Sequence, residues 1–207
     1  MEIKKLLLTN KLTRPALRDE SYKRDKVTGL VIHWTANIKP GADAEANRNY
    51  FNNLEDKKAS AHYIVDSKEI IQCVPDLEVA YHAGSFTANR EMIGIEMYVN
   101  NDGDFNKTYW RTVELVKHLM KKHKLHYLQV HRHYDITGKD CPKMLLPILG
   151  HEWNWELFLY NITYKKDACK IFFRGITSDS TALYNERNKI LFIITCRRKK
   201  GRRFIFR

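Results

Sequence analysis

The spacing of apolar and polar residues divides the chain into short strands and helices. Val27–Trp34 (VTGLVIHW) is rich in β-branched residues and reads as a buried strand carrying His33 near its end. Residues 37–41 contain Pro40 and Gly41 and read as a loop. Residues 42–54 follow helical spacing, with Ala46, Tyr50 and Leu54 on one stripe. SAHYIVD at 60–66 and EIIQCV at 69–74 read as two strands joined around Ser67 and Lys68 in a hairpin. Residues 75–91 show no period and read as irregular. In MIGIEMYV (92–99), Ile93, Ile95, Met97 and Val99 share one face, and Met92, Gly94, Glu96 and Tyr98 share the other. Residues 107–124 carry the strongest helical pattern, with Trp110, Val113, Val116, Leu119 and Met120 in phase. A short strand at 125–131, a polar loop at 133–142 and an aromatic closing helix at 152–160 complete the pattern. The class predicted is α/β: a mixed central β-sheet flanked by helices, in a single domain over residues 25–160. Residues 1–24 read as a polar lead-in and 161–207 as a basic C-terminal extension.

Composition narrows the class. At 207 residues, 43% hydrophobic and 29% charged, the chain has the make-up of a soluble globular protein. No apolar run approaches the roughly 20 residues of a spanning helix. The N-terminal apolar stretch is only Leu6–Leu8, too short for a signal peptide, so synthesis in the cytoplasm without a signal peptide is expected. The net charge of +12 is uneven. Residues 165–207 hold 13 Lys and Arg against 3 Asp and Glu, whereas residues 1–164 hold 23 against 21. A nucleic-acid reading would therefore rest on the extension alone, and no specific nucleic-acid partner is expected. The extension carries two apolar runs, KIFFRG and ILFIITC, and ends in RRKKGRRFIFR. No dedicated fold is expected for it; its charge suits anionic wall polymers. The four cysteines (Cys73, Cys141, Cys169 and Cys196) are scattered and do not read as a disulfide framework.

His33, His133 and Cys141 are the right residue types for a catalytic zinc site, which takes three protein ligands and leaves a fourth position open. His133 and Cys141 flank a seven-residue segment, YDITGKD, and the third ligand would come from the distant strand that carries His33. With nine histidines in the chain, spacing alone is weak, and His131 is a rival for His133. A thiol hydrolase with Cys141 as nucleophile and His133 as base uses the same residues, and a non-catalytic binding module also remains open. HEWNW at 151–155 lacks the second histidine of a zinc-protease helix motif.

VIHWTA, SAHYIVD, YHAG, IGIEM and RHYDITGKDCP occur in that order. Together they resemble the type-2 N-acetylmuramoyl-L-alanine amidases, a family that includes phage lysozyme-type amidases and animal peptidoglycan-recognition proteins. The resemblance is strongest to amidase domains of phage and prophage endolysins and covers residues 25–158. It implies one catalytic zinc ion held by His33, His133 and Cys141, Glu96 as general base, and Lys139 as a cation beside the reacting carbonyl. It implies that His82 sits where the family often lines the substrate groove; His62 reads either as support behind the site or as a core-edge histidine, and both are candidate substrate-binding residues. The implied substrate is bacterial peptidoglycan, cut between N-acetylmuramic acid and L-alanine, with access to the wall through a phage-encoded membrane hole. Some members place a catalytic tyrosine just before the histidine of the SxHY strand. Here that position is Ala61, so the tyrosine role is not carried over; Tyr63 points away from His62.

Overall fold

The computed structural model describes residues 1–146 and 154–164. The chain divides into two units, Met1–Thr163 and Tyr164–Arg207. The first unit holds the sheet and its helices. The expectations for the basic extension beyond residue 164 lie outside the described residues.

Six strands form one sheet: β1 (Lys4–Lys5), β2 (Gly29–Trp34), β3 (Tyr63–Val65), β4 (Ile70–Gln72), β5 (Met92–Met97) and β6 (Val130–Arg132). Their order is β1-β4-β3-β5-β2-β6. Only β3 and β4 pair antiparallel, as the predicted hairpin. Asp66 makes its turn, accepting the backbone N–H groups of Lys68 and Glu69. All other neighbours pair parallel. β2, between β5 and the edge strand β6, pairs with β5 from Gly29–Met92 to Trp34–Met97. This mixed sheet with helices against it is the α/β class expected from the pattern.

Among the described residues five helices accompany the sheet: α1 (Ala44–Asn52), α2 (Phe86–Glu91), α3 (Phe105–His123), α4 (His133–Thr137) and α5 (Trp155–Thr163). Asp43, Ser85 and Asp104 cap α1, α2 and α3, each side chain accepting an N–H of the first turn. One sheet face packs Leu30, Ile32, Ile93, Ile95, Tyr63 and Val65 against Tyr109, Val113 and Val116 of α3 and Phe158 of α5. This is the apolar face read from MIGIEMYV. On the other face, Ile64 and Ile71 pack with Leu8, Val74 and Ala44. His33 and Glu96 belong to that second face, because they alternate with Ile32 and Ile95.

Several elements differ from the sequence reading. The inward face of α1 is not the Ala46–Tyr50 stripe. Ala44 is fully buried and Phe51 packs beside it, whereas Tyr50 is 48% exposed. Arg48 explains the rotation: its guanidinium turns inward to the carbonyls of Leu6 and Leu7 at 3.1 and 2.7 Å, which a period count of apolar residues cannot register. The irregular stretch 75–91 contains α2, too short to show a period. The polar loop 133–142 begins with α4, and the strand expected over 125–131 is a 3-10 turn at Tyr127–Gln129 followed by β6. The lead-in is built into the fold. β1 joins the sheet edge, Leu8 is fully buried, and Arg14 makes a paired ion bridge to Glu78 at 2.7 and 2.9 Å. The closing helix runs on to Thr163, into residues assigned to the extension.

Asp76 ties the hairpin to the end of α3. It is buried, and its carboxylate accepts from Tyr63 Oη at 2.5 Å, Gln72 Nε2 at 3.0 Å, Lys122 Nζ at 2.8 Å and His123 Nε2 at 2.7 Å. Burial pushes this carboxyl up, but the bonds from Lys122, Tyr63 and His123 outweigh burial and hold it at about 2. Removing it strands buried donors. Asp76→Ala is expected to cost about 3–5 kcal/mol of unfolding free energy, read by urea titration. Its folded pKa lies below the ordinary 3.8, so its contribution is complete above pH 4 and is lost as pH falls toward 2. Acid titration of wild type should therefore show a loss of stability in that window that is smaller in Asp76→Ala.

Candidate functional site

The parallel register of β2 and β5 sets His33 directly beside Glu96. Neighbouring strands lie about 4.8 Å apart and registered residues share a face, so the two side chains stand together over the sheet. Ile64 of β3 continues the row on the far side of Glu96. His133 arrives from the other edge. β6 pairs with β2, and the chain turns into α4 immediately after it, with His133 as the first helical residue. Asp135 holds that start, accepting the Arg132 backbone N–H at 2.8 Å and its guanidinium at 2.7 Å. Gly138 ends α4 in the left-handed region, φ +76°, and the chain doubles back. The Tyr134 N–H then donates to the Cys141 carbonyl at 2.9 Å. This closed loop carries both His133 and Cys141 to His33. The ligand atoms of the three residues lie within 4.8 Å of one another, and all three residues are buried.

The histidine partners fix where the protons sit. His82 Nε2–H donates to the Met92 carbonyl at 3.2 Å, which leaves Nδ1 as an acceptor. His33 Nε2 lies 3.0 Å from that nitrogen and must carry the proton between them. The His33 Nδ1 lone pair therefore faces His133 Nδ1 at 3.0 Å and Cys141 Sγ at 3.9 Å. Burial, then the charges of neighbouring rings, holds His33 well below the ordinary imidazole value; burial pushes His82 down to about 3. The rings are neutral. Burial and then Glu96 push the Cys141 thiol up to about 12. Two imidazole nitrogens and a sulfur converging on one point, with the outer nitrogen of His33 already engaged by His82, fit a borderline-soft cation and not a hard one that prefers oxygen.

Glu96 is the open end of this arrangement. Its Oε2 is enclosed and has no hydrogen-bond partner among the described residues. Burial pushes the carboxyl up to about 7 against the opposing pull of Lys139. Lys139 is exposed on the loop before Cys141, and its charge also acts on His33, His133 and Cys141. A depression of about 280 Å³ opens beyond His33, lined by Thr35, Asn37, Ala42, Ala46, Asn47 and Tyr50. Thr35 follows His33 by two residues, about 7 Å along an extended chain.

Of the residues singled out from sequence, His33, His133, Cys141, Glu96 and Lys139 come together. His131, the rival ligand, stays on β6 opposite Val31 and outside the cluster. His62 and His82, expected to line a substrate site, are both enclosed. His62 is fully enclosed: Nδ1 accepts the Gly94 N–H at 2.9 Å and Nε2 meets the Glu78 carbonyl at 2.9 Å. His82 is 9% exposed and both ring nitrogens are engaged within the protein. It lies so close over β5 that a Cβ on Gly94 would sit 2.4 Å from its ring, so glycine is required there. Tyr63 points into the opposite core, as its strand parity predicts. Sequence reading missed Arg24, whose guanidinium donates to the carbonyls of Arg90 and Met92 at 3.0 Å. It also missed Asn89, whose side chain binds the backbone of His82 and Ala83. Neither position carries a signal in a single sequence.

Residues 23–144 match the family model described as N-acetylmuramoyl-L-alanine amidase. Over 154 residues the chain is 42% identical to a probable N-acetylmuramoyl-L-alanine amidase of Bacillus licheniformis, covering 68% of this chain and 42% of that protein. It is 40% identical over 155 residues to the amidase CwlL of the same organism, covering 68% and 41%. The chain thus spans about two fifths of the length of these relatives. The structure of the catalytic domain of XlyA, named among the relatives as an amidase of Bacillus subtilis, superposes with a TM-score of 0.69 at 34% identity, covering 78% of this chain and 99% of that one. With the family model matching more than half of its residues, the chain belongs to the N-acetylmuramoyl-L-alanine amidase family, in its endolysin-related branch.

Proposed function

We propose that the chain is a zinc-dependent N-acetylmuramoyl-L-alanine amidase that hydrolyses the amide between N-acetylmuramic acid and L-alanine in bacterial peptidoglycan. The observation that carries this reading is the convergence of His33, His133 and Cys141 beside a carboxylate oxygen that no group among the described residues satisfies. The three residues would hold the ion. Zinc bound there would lower the pKa of a water to about 7 and polarise the scissile carbonyl. Glu96 Oε2, free of other partners, takes a proton from the attacking water and returns one to the departing L-alanine nitrogen. Lys139 offsets the negative charge that develops on the carbonyl oxygen. The products are a carboxylate on the muramic acid side and a free amine on the stem peptide.

The remaining assignments belong to the same proposal. The catalytic domain is centred on residues 25–160, the wall is the site of action, and a phage-encoded membrane hole is the route to it. The charge of residues 165–207 favours anionic wall polymers. No helix among the described residues is long and apolar enough to cross a membrane. A thiol hydrolase fits poorly. Such an enzyme needs an accessible thiolate, whereas Cys141 is 2% exposed and its thiol is pushed up by burial and by Glu96.

Purified protein incubated with Gram-positive peptidoglycan should release new L-alanine amino termini. A chelator should abolish the release and added zinc restore it; release that persists in chelator would return the thiol mechanism. Glu96→Gln keeps the size of the side chain and removes the base. It should lower kcat about 10²–10⁴-fold while zinc content measured by metal analysis stays at wild-type level.

A further inference from the structure

One residue between β4 and α2 aims an imidazole of the metal centre. His82 Nδ1 accepts the proton on His33 Nε2 at 3.0 Å. Tyr81 before it is tied to Ser60 by two hydrogen bonds of 3.0 Å, and Gly84 beyond it is in the left-handed region, φ +62°. Between them, the N–H groups of His82 and Ala83 both go to a single oxygen. Asn89 Oδ1 accepts the N–H of His82 at 2.9 Å and the N–H of Ala83 at 2.8 Å. Two convergent N–H donors identify that atom as the oxygen and not the nitrogen. Asn89 is itself fixed within α2, its N–H bonded to the Ser85 carbonyl at 2.9 Å. From below, the His82 ring is seated over Gly94 and donates to the Met92 carbonyl, which also receives Arg24.

We infer that Asn89 is a positioning residue for the metal centre: by clamping the backbone of His82 and Ala83 it fixes the His82 ring and, through it, the orientation of the His33 ligand. The inference rests on the reading of His33, His133 and Cys141 as zinc ligands. Asn89 reaches neither the ligands nor the ion, so its effect passes through the dipeptide. With the clamp intact, His33 keeps its proton on Nε2 and its lone pair on Nδ1 toward the ion before any metal arrives. Without it, the dipeptide can shift, and His33 loses its outer partner. Loss of outer partners of ligating histidines weakens metal binding by about 10–100-fold.

The test is the zinc Kd of the full chain, measured by competition with a chromogenic chelator, for wild type, Asn89→Ala, Asn89→Asp and His82→Ala. Thermal melting of each metal-free protein runs in parallel. Asn89→Ala should bind zinc about 10–100-fold more weakly. Asn89→Asp, which keeps an acceptor oxygen at the same reach, should bind near the wild-type level even if its metal-free melting temperature moves. His82→Ala leaves the clamp and removes the acceptor for His33, so it should also weaken binding; it carries the test should Asn89→Ala not fold. A folded Asn89→Ala with wild-type zinc affinity and a lowered metal-free melting temperature would overturn the inference, making Asn89 a loop-stabilising residue and leaving the zinc reading intact. A folded wild type that takes up no zinc would overturn both.

Discussion

The in-register parallel pairing of β2 with β5 is the constraint on which the site depends. Side chains alternate faces along a strand, so a slip of one residue would turn His33 into the core and bring Ile32 or Trp34 to the reactive face. The opposite face prevents the slip. Leu30, Ile32, Ile93 and Ile95 are completely buried against α3 and α5, and a slipped strand would expose them. The hydrophobic side of the sheet therefore locates the chemical side. Two further pairings complete the site from the same frame: β3 extends the row to Ile64, and β6 brings the chain to the edge where α4 begins with His133.

Two enclosed carboxylates on this scaffold show how environment separates structural from chemical roles. Asp76 is surrounded by donors from Tyr63, Gln72, Lys122 and His123, and these outweigh burial and keep it charged at about 2. Glu96 is buried with one oxygen that meets no donor among the described residues, and the carboxyl rises to about 7. A satisfied buried carboxylate tethers elements, as Asp76 tethers the hairpin to α3. An unsatisfied one stores a demand for a proton or a cation that the fold does not meet. The neutral histidines around it follow the same logic, since burial penalises their charged forms and leaves lone pairs available for a ligand role.

The N-terminal residues show that support for the site reaches beyond the matched family region. Arg24 lies just inside that region, but Leu8 and β1 precede it. Leu8 fills the core under α1, on the same face of the sheet as His33. Arg24 is pushed down to about 10 by burial and spends its donors on the carbonyls of Asp76, Arg90 and Met92, holding together the strands and turns on which His82 rests.

Strand parity in MIGIEMYV and the apolar run before His33 already separate a core face from a polar face in the sequence, and the order of the motifs already links His33, Glu96, His133, Lys139 and Cys141. Those features are local or depend on residue type, so one-dimensional pattern carries them. The inward turn of Arg48, the 3-10 turn before β6 and the building of residues 1–24 into the sheet are not in the pattern, because they are set by which carbonyls and cavities happen to face the chain after it folds. The same holds for His62 and His82. Their motifs mark them as belonging to the site, but whether an imidazole meets substrate or a neighbouring ring depends on which side of β5 is open, and Gly94 opens it to His82. Asn89 carries no mark at all in sequence, since a clamp on two backbone N–H groups exists only once a loop has been folded back onto a helix.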